Sequence, residues 1–150
     1  GREAINLDQS IGSHSITHYA GPGQGNPPHC TASGKLLLAF AADDDIEEVL
    51  ASPLLRHTVH TVVDPVTLRR QLREIRSCGF AINCGEYSED VGGVSAVVRD
   101  LRSNAVGALT ITLPMYRFAP DKRETLAADV RNVAAKISLE MGYQETPFSG

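Results

Sequence analysis

The sequence has no surplus of basic residues and no long hydrophobic run. Its 18 Asp and Glu residues outnumber its 14 Lys and Arg residues, which gives a formal net charge of −4. A nucleic-acid-binding domain usually carries a basic surplus, so this balance argues against direct binding of nucleic acid by this chain. The longest apolar run, Leu36 to Ala42, is far shorter than the roughly 20 residues of a membrane-spanning helix. We therefore expect no membrane span.

Cysteine is also scarce. The three cysteines, Cys30, Cys78 and Cys84, are odd in number, and their spacing matches no common metal-binding motif. Free thiols are typical of a reducing compartment, and no apolar signal segment is visible near the first residues. These features predict a cytoplasmic protein without a bound metal. With 150 residues, 42% hydrophobic and 21% charged, the chain is the size of one globular domain.

The clearest local pattern is a helix that begins after residue 64. Asp64 and Pro65 are typical of a helix start, because Asp caps a free N–H and Pro suits the first helical position. Gly79 is expected to end the helix, since glycine adopts the left-handed conformation without a steric penalty. Between them, apolar residues recur at helical spacing: Leu68, Leu72 and Ile75.

Beyond Gly79 the apolar pattern alternates. Residues 80–82, 94–98 and 106–113 are predicted strands, separated by an excursion over 83–90 and a turn over 100–104. Asn104 suits that turn, because asparagine tolerates a positive φ. A helix followed by an antiparallel meander predicts an α+β domain rather than a parallel nucleotide-binding sheet.

The remaining elements complete this prediction. Residues 4–8 and 15–20 are predicted to pair as strands, and residues 21–28 are predicted to form a loop. Helices are expected over about 31–40, 43–50 and 120–141. The last of these helices has a predicted apolar stripe formed by Leu126, Val130, Val133, Ile137 and Met141.

Two places suit the binding of an anion. The first turn of the helix near Ala32 and Ser33 offers unpaired N–H groups and a partial positive charge, with small side chains that allow close approach. Thr110 and Thr112 share one face of the last strand, where their hydroxyls could hold a carboxylate. The residues alone leave structural alternatives open, because small residues also permit tight packing and Thr is common on solvated strands.

Enzymatic chemistry has weaker support. His29 and Cys30 are adjacent and would point apart in an extended segment, which makes a poor nucleophile–base pair. His14 and His18 lie in a strand-like segment, and His57 and His60 have no third ligand nearby in the sequence. We therefore predict no catalytic residue, no metal and no cofactor, with a cysteine or metal hydrolase as a minor alternative.

Several segments together resemble one known family. The stretch REIRSCGFAINCGEYSEDVGGVSAVVRD at 73–100 is followed by NAVGALTITLP at 104–114, and HCTASGKLLLAF and HTVHTVVDP precede them in the same order. These segments, with Ile137 to Tyr143, resemble the effector-binding domain of IclR-type bacterial transcription regulators. The resemblance covers nearly the whole chain and implies a GAF-like or profilin-like antiparallel sheet with helices packed on one face.

The resemblance also implies a function. The domain would bind a small organic acid and would act on DNA only through a helix-turn-helix domain absent from this chain, as a homodimer or homotetramer. We expect residues 1–150 to form one effector-binding domain of a longer protein. Asn83 stands where the family often has Asp, and Gly93 stands where larger residues line the pocket, so that glycine would enlarge the pocket or free the loop. The expected effector-binding residues are Ala32, Ser33, Asn83, Val91, Gly93, Thr110 and Thr112.

Other functions compete with this one. A GAF or PAS-like sensor coupled to another output would share the fold, and an interaction module with a closed pocket would bind no small molecule. Glu86 would fix the loop after Asn83 or meet a partner subunit, although an exposed loop carboxylate is the simpler expectation for it.

Overall fold

The structure is a computed structural model of the chain, and it describes residues 4, 5, 7, 23 and 25–144. The short strand β1 (Ala4–Ile5) pairs antiparallel with β2 (Gly25–Asn26). The prediction of loop for residues 21–28 is therefore wrong at Gly25 and Asn26. The predicted strand at 15–20 lies outside the described residues. The other elements are the helices α1 (Ala32–Ala39), α2 (Asp43–Ala51), α3 (Pro65–Cys78) and α4 (Pro120–Glu140), and the strands β3 (Phe80–Cys84), β4 (Val91–Arg99) and β5 (Ala105–Pro114).

Local signals set the ends of α3 as predicted. The Asp64 carboxylate accepts a hydrogen bond from the Thr67 backbone N–H at 2.8 Å, and Pro65 occupies the first helical position. Gly79 ends the helix in the left-handed conformation, with φ of 77°. In the later turn, the residue with positive φ is Ser103 (φ 65°) rather than Asn104.

The central sheet is an antiparallel meander with the order β3-β4-β5. Its register sets residues of the three strands side by side. Asn83 pairs with Gly93, and Gly93 pairs with Thr112. Two residues further along β4, Ser95 pairs with Thr110 and with Ala81. Because alternate residues of a strand point to the same face, both rows lie on one face of the sheet.

Helices cover both faces of this sheet, which corrects the expectation of helices on one face. Helix α4 packs on the face of Val94, Ala96 and Val98, with Phe118 completing its apolar core. Helix α1 packs on the opposite face, against β3, β4 and β5, and α2 and α3 pack around it. The α+β class and the antiparallel meander are confirmed. Within the described residues, no helix is long and apolar enough to cross a bilayer.

Helix α4 buries smaller residues than its apolar pattern predicts. The buried positions are Ala127, Val130, Ala134 and Ser138. Val133 and Met141, which the predicted stripe included, are 47% and 45% exposed. Small side chains let the helix lie close to the strands, so the buried stripe follows residue size as well as hydrophobicity.

Candidate functional site

The start of α1 lies directly over the row formed by Asn83, Gly93 and Thr112. A Cβ atom placed on Gly93 would lie 3.7 Å from the Cβ of Ala32 and 3.3 Å from the Cγ2 of Thr112. These distances are those of van der Waals contact or closer. The fold therefore brings Ala32, Gly93 and Thr112, from three separate elements, into one cluster.

Glycine at position 93 permits this close packing. A Cβ there would also lie 3.2 Å from the Ile111 carbonyl oxygen, which is tighter than most contacts of real Cβ atoms. A Cβ at this position would already contact Ala32 and Thr112. The effect of Gly93 on the size of a pocket or on the freedom of the loop stays a prediction.

The first turn of α1 is capped by the side chain of Thr31. The Thr31 hydroxyl caps the helix by accepting a hydrogen bond from the Gly34 N–H at 3.1 Å, and it donates to the Pro27 carbonyl at 3.0 Å. A Cβ on Gly34 would lie within 2.6 Å of that carbonyl, so only glycine allows this packing. Ala32 and Ser33 are the first two residues of the helix after its N-cap. Their N–H groups therefore have no carbonyl partner within the helix.

Asn83 joins this turn to β3. Its Nδ2 donates to the Cys30 carbonyl at 2.5 Å, and its Oδ1 accepts from the Glu86 N–H at 3.0 Å. The side chain is buried, and both ends of its amide bond to the protein. Asn83 therefore fixes the position of the α1 turn. Val91 shares the face of Gly93 two residues earlier on β4, opposite Pro114.

The two threonines of β5 differ in their contacts. The Thr110 hydroxyl lies 2.8 Å from that of Ser95, which is fully buried beneath it and also donates to the Leu109 carbonyl at 3.4 Å. Thr112 contacts the position of Gly93 through its methyl group. Both threonines are exposed, so their outer sides can be reached by a ligand. Ser95 was not predicted, although a Ser between apolar strand residues is a signal that could have identified it.

A buried ion pair connects α1 to the excursion after β3. The Lys35 Nζ lies 2.5 Å from the Glu86 Oε2 and 2.9 Å from the Gln71 Oε1. Lys35 is 2% exposed and Glu86 is 8% exposed, so the expectation of an exposed loop carboxylate is wrong. The signal for this pair was a single Lys within an otherwise apolar helix, because a buried cation needs a partner.

Cys30 does not have the chemistry of a nucleophile. Burial raises the pKa of the Cys30 thiol to about 12, and the nearby Glu86 carboxylate adds to the rise while Lys35 opposes it. The thiol is therefore protonated near neutral pH. His29 and Cys30 nevertheless do not point apart as predicted, since both lie with His57 in one cluster. A shallow groove of about 230 Å³ lies beside His29, between α2 and residues 52–54, and none of the seven predicted residues lines it.

Comparison with known proteins identifies the family of this fold. Residues 1–139 match the family model described as the C-terminal domain of the bacterial transcriptional regulator IclR. The chain is 32% identical over 136 residues to the HTH-type transcriptional regulator KdgR of Dickeya chrysanthemi, covering 90% of the chain and 45% of that protein. The chain spans about half the length of the curated relatives it matches.

Solved structures agree with this match. The Thermotoga maritima IclR structure superimposes with a TM-score of 0.80 at 30% identity, covering 91% of this chain and 56% of that one. An IclR homologue from Microbacterium hydrocarbonoxydans, solved in complex with 4-hydroxybenzoate, superimposes with a TM-score of 0.78 at 27% identity, covering 86% and 52%. The matched relatives are transcriptional regulators rather than enzymes, which agrees with the prediction of a non-enzymatic role.

Proposed function

This chain belongs to the IclR family of bacterial transcriptional regulators and corresponds to their C-terminal effector-binding domain, and we propose that it senses a small carboxylate. The carboxylate binds between the start of α1 and the exposed edge of β5. Backbone N–H groups of Ala32 and Ser33 and the hydroxyls of Thr110 and Thr112 hold it. The observation that supports this proposal best is the cluster of Ala32, Gly93 and Thr112, which brings the first turn of α1 beside β5.

The charges around this place suit an anion. The amides of a helix N-terminus carry a partial positive charge. Asn83 is neutral, and the Glu86 carboxylate is paired with the Lys35 ammonium. The relative crystallised with 4-hydroxybenzoate supports the choice of a small acid and makes aromatic hydroxy acids the first class to test.

Regulation follows from a difference in affinity. The effector changes the arrangement of subunits in a homodimer or homotetramer only if it binds one arrangement more tightly than another. That rearrangement would alter DNA binding by a helix-turn-helix domain outside this chain. The protein would act in the cytoplasm, where such regulators meet DNA.

The first experiment is thermal unfolding of the chain with a panel of aromatic and aliphatic carboxylates. A ligand at 100 times its Kd adds about 2.7 kcal/mol to the free energy of unfolding, which is visible as a rise in the midpoint. We expect one chemical class of acid to raise it. No rise with any acid would instead favour a closed interaction module.

The site is tested by the Thr110→Val/Thr112→Val double variant. Valine keeps the shape and strand propensity of threonine but removes the hydroxyls. Hydrogen bonds to a charged group are worth about 1.5–3 kcal/mol each, so affinity for the active acid should fall at least about tenfold, with little change in the unliganded midpoint. The matched control is Thr125→Val on the exposed side of α4. Unchanged affinity in the double variant would contradict this placement of the site.

A further inference from the structure

A cluster of His29, Cys30 and His57 lies outside the proposed effector site. One potential ligand atom from each residue lies within 4.8 Å of the other two. Cys30 is fully buried, His29 is nearly so, and His57 is exposed. The first two residues come from the turn before α1 and the third from the loop before α3. The fold therefore joins residues that the sequence separates, which is why their spacing gave no metal motif.

The hydrogen bond of His29 leaves one ring nitrogen available. Its Nε2 lies 2.8 Å from the Leu55 carbonyl oxygen, which can only accept, so Nε2 carries the proton. Nδ1 then keeps its lone pair. Histidines that bind metals usually donate their other N–H to a carbonyl or carboxylate in this way, which fixes the tautomer and the ring orientation.

The loop that carries His57 is firmly held. The His57 backbone N–H donates to the Thr61 hydroxyl at 3.0 Å, and the Thr58 hydroxyl donates to the Gly85 carbonyl at 2.7 Å. The Tyr87 ring packs edge-on against the His57 ring, with 4.8 Å between their centroids. The loop thus holds the His57 ring beside the His29 ring, with 5.9 Å between their centroids.

From this arrangement we infer that His29, Cys30 and His57 form a binding site for a transition-metal dication, with Zn²⁺ as the best match. Zinc takes imidazole nitrogen at about 2.0–2.1 Å and thiolate sulfur at about 2.3 Å, and three protein ligands leave a fourth position for water. Ligand atoms around one zinc are then roughly 3.3–3.7 Å apart. The three ligand atoms, which lie within 4.8 Å of one another, would move closer together on binding, with solvent at the fourth position.

Binding removes the thiol proton of Cys30. The sulfur forms a bond to the metal as thiolate, and the proton passes to water and buffer. The burial that disfavours a free thiolate is offset by the charge of the dication beside it. This site does not depend on the carboxylate effector, so either proposal can fail while the other stands.

The test is a titration of the metal-free chain with Co²⁺, followed by competition with Zn²⁺. Tetrahedral coordination by a thiolate gives d–d bands in the visible and a thiolate-to-cobalt charge-transfer band in the near ultraviolet. We expect both bands with one equivalent of Co²⁺ and their loss on adding Zn²⁺. Absence of the charge-transfer band would overturn the inference.

Variants locate the site. Loss of a group that only orients a ligand costs about 10–100-fold in metal affinity, so His57→Ala should weaken Zn²⁺ binding at least that much. Because His57 is exposed, this variant should fold, which its unfolding midpoint without metal will check. His60→Ala in the same loop and Cys78→Ser, an exposed thiol, are matched controls and should bind Zn²⁺ normally. Equal weakening in the controls, or no weakening in His57→Ala, would show adventitious binding and refute the site.

Discussion

The two faces of β4 differ in chemistry although they alternate along the same nine residues. Val94, Ala96 and Val98 face α4 and belong to an apolar core with Phe118. Gly93 and Ser95 face α1, and Gly93 lies beside the buried Asn83. The α4 face gains stability from buried area, whereas the α1 face keeps hydrogen-bonding groups in fixed positions. We therefore expect substitutions on the α4 face to change mainly stability, and those on the α1 face also to change binding.

The largest effect is expected from Phe118→Ala on the α4 face. The ring is almost fully buried and also lies beneath the Arg123 guanidinium. Its removal leaves a cavity and should lower the free energy of unfolding by about 3–5 kcal/mol in denaturant titrations. Affinity for the effector should stay the same in protein that remains folded.

The matched control is Tyr116→Ala, since Tyr116 lies in the same connection but is exposed. It should change stability by less than about 0.5 kcal/mol. If Phe118→Ala cost no more than this control, or abolished binding in folded protein, the division between the faces would be wrong.

On the α1 face, Glu86→Ala should have the next largest effect. It leaves the Lys35 ammonium buried with only Gln71 as its described hydrogen-bond partner. Breaking a buried ion pair in this way costs about 3–5 kcal/mol, and we expect the low end because Gln71 remains. Denaturant titration of Glu86→Ala beside Glu89→Ala, an exposed carboxylate of the same segment, measures the difference.

The double variant Lys35→Met/Glu86→Leu sharpens this prediction. Replacing both partners by apolar residues removes the unpaired charge, so most of the lost stability should return. A Glu86→Ala variant as stable as Glu89→Ala would instead mean that the ion pair contributes little.

Sequence reasoning succeeded where structure depends on neighbours along the chain. Asp64, Pro65 and Gly79 set the ends of α3 through contacts within a few residues, and alternation gave the meander. It failed where distant segments meet. Lys35 and Glu86 are 51 positions apart, so the burial of Glu86 depends on how α1 packs on the sheet.

The same limit applies to the candidate sites. The resemblance indicated Gly93, but only the packing of α1 on the sheet shows that Ala32 and Thr112 lie beside it. Two separate loops bring together His29, Cys30 and His57. Sequence motifs for metal ligands depend on short spacings along the chain, so they do not detect such a cluster. In α4, hydrophobicity favoured Val133, while close approach to the sheet selected Ala134.

A moderate effect is expected from Ser138→Ala on the α4 face. The Ser138 hydroxyl accepts from the Arg99 backbone N–H at 2.9 Å, where a register shift interrupts the β4–β5 ladder. In Ser138→Ala the Arg99 N–H has lost this partner beneath α4. The free energy of unfolding should fall by about 1–2 kcal/mol, which thermal unfolding would measure. Effector affinity should not change, and a change would indicate communication across the sheet.

The smallest effect on stability is expected from the same substitution on the α1 face, Ser95→Ala. Its partner, the Thr110 hydroxyl, is exposed and can turn to water, so the free energy of unfolding should fall by less than about 1 kcal/mol. Thr110 would then lose the contact that orients it toward the effector. Fixing a free rotor costs about 0.5–1 kcal/mol, so affinity should fall roughly two- to fivefold. Ser138→Ala is the matched control by calorimetric titration. The two variants remove the same atom from opposite faces of the sheet. If Ser95→Ala lost more stability than Ser138→Ala and kept its affinity for the effector, the roles assigned to the two faces would be reversed.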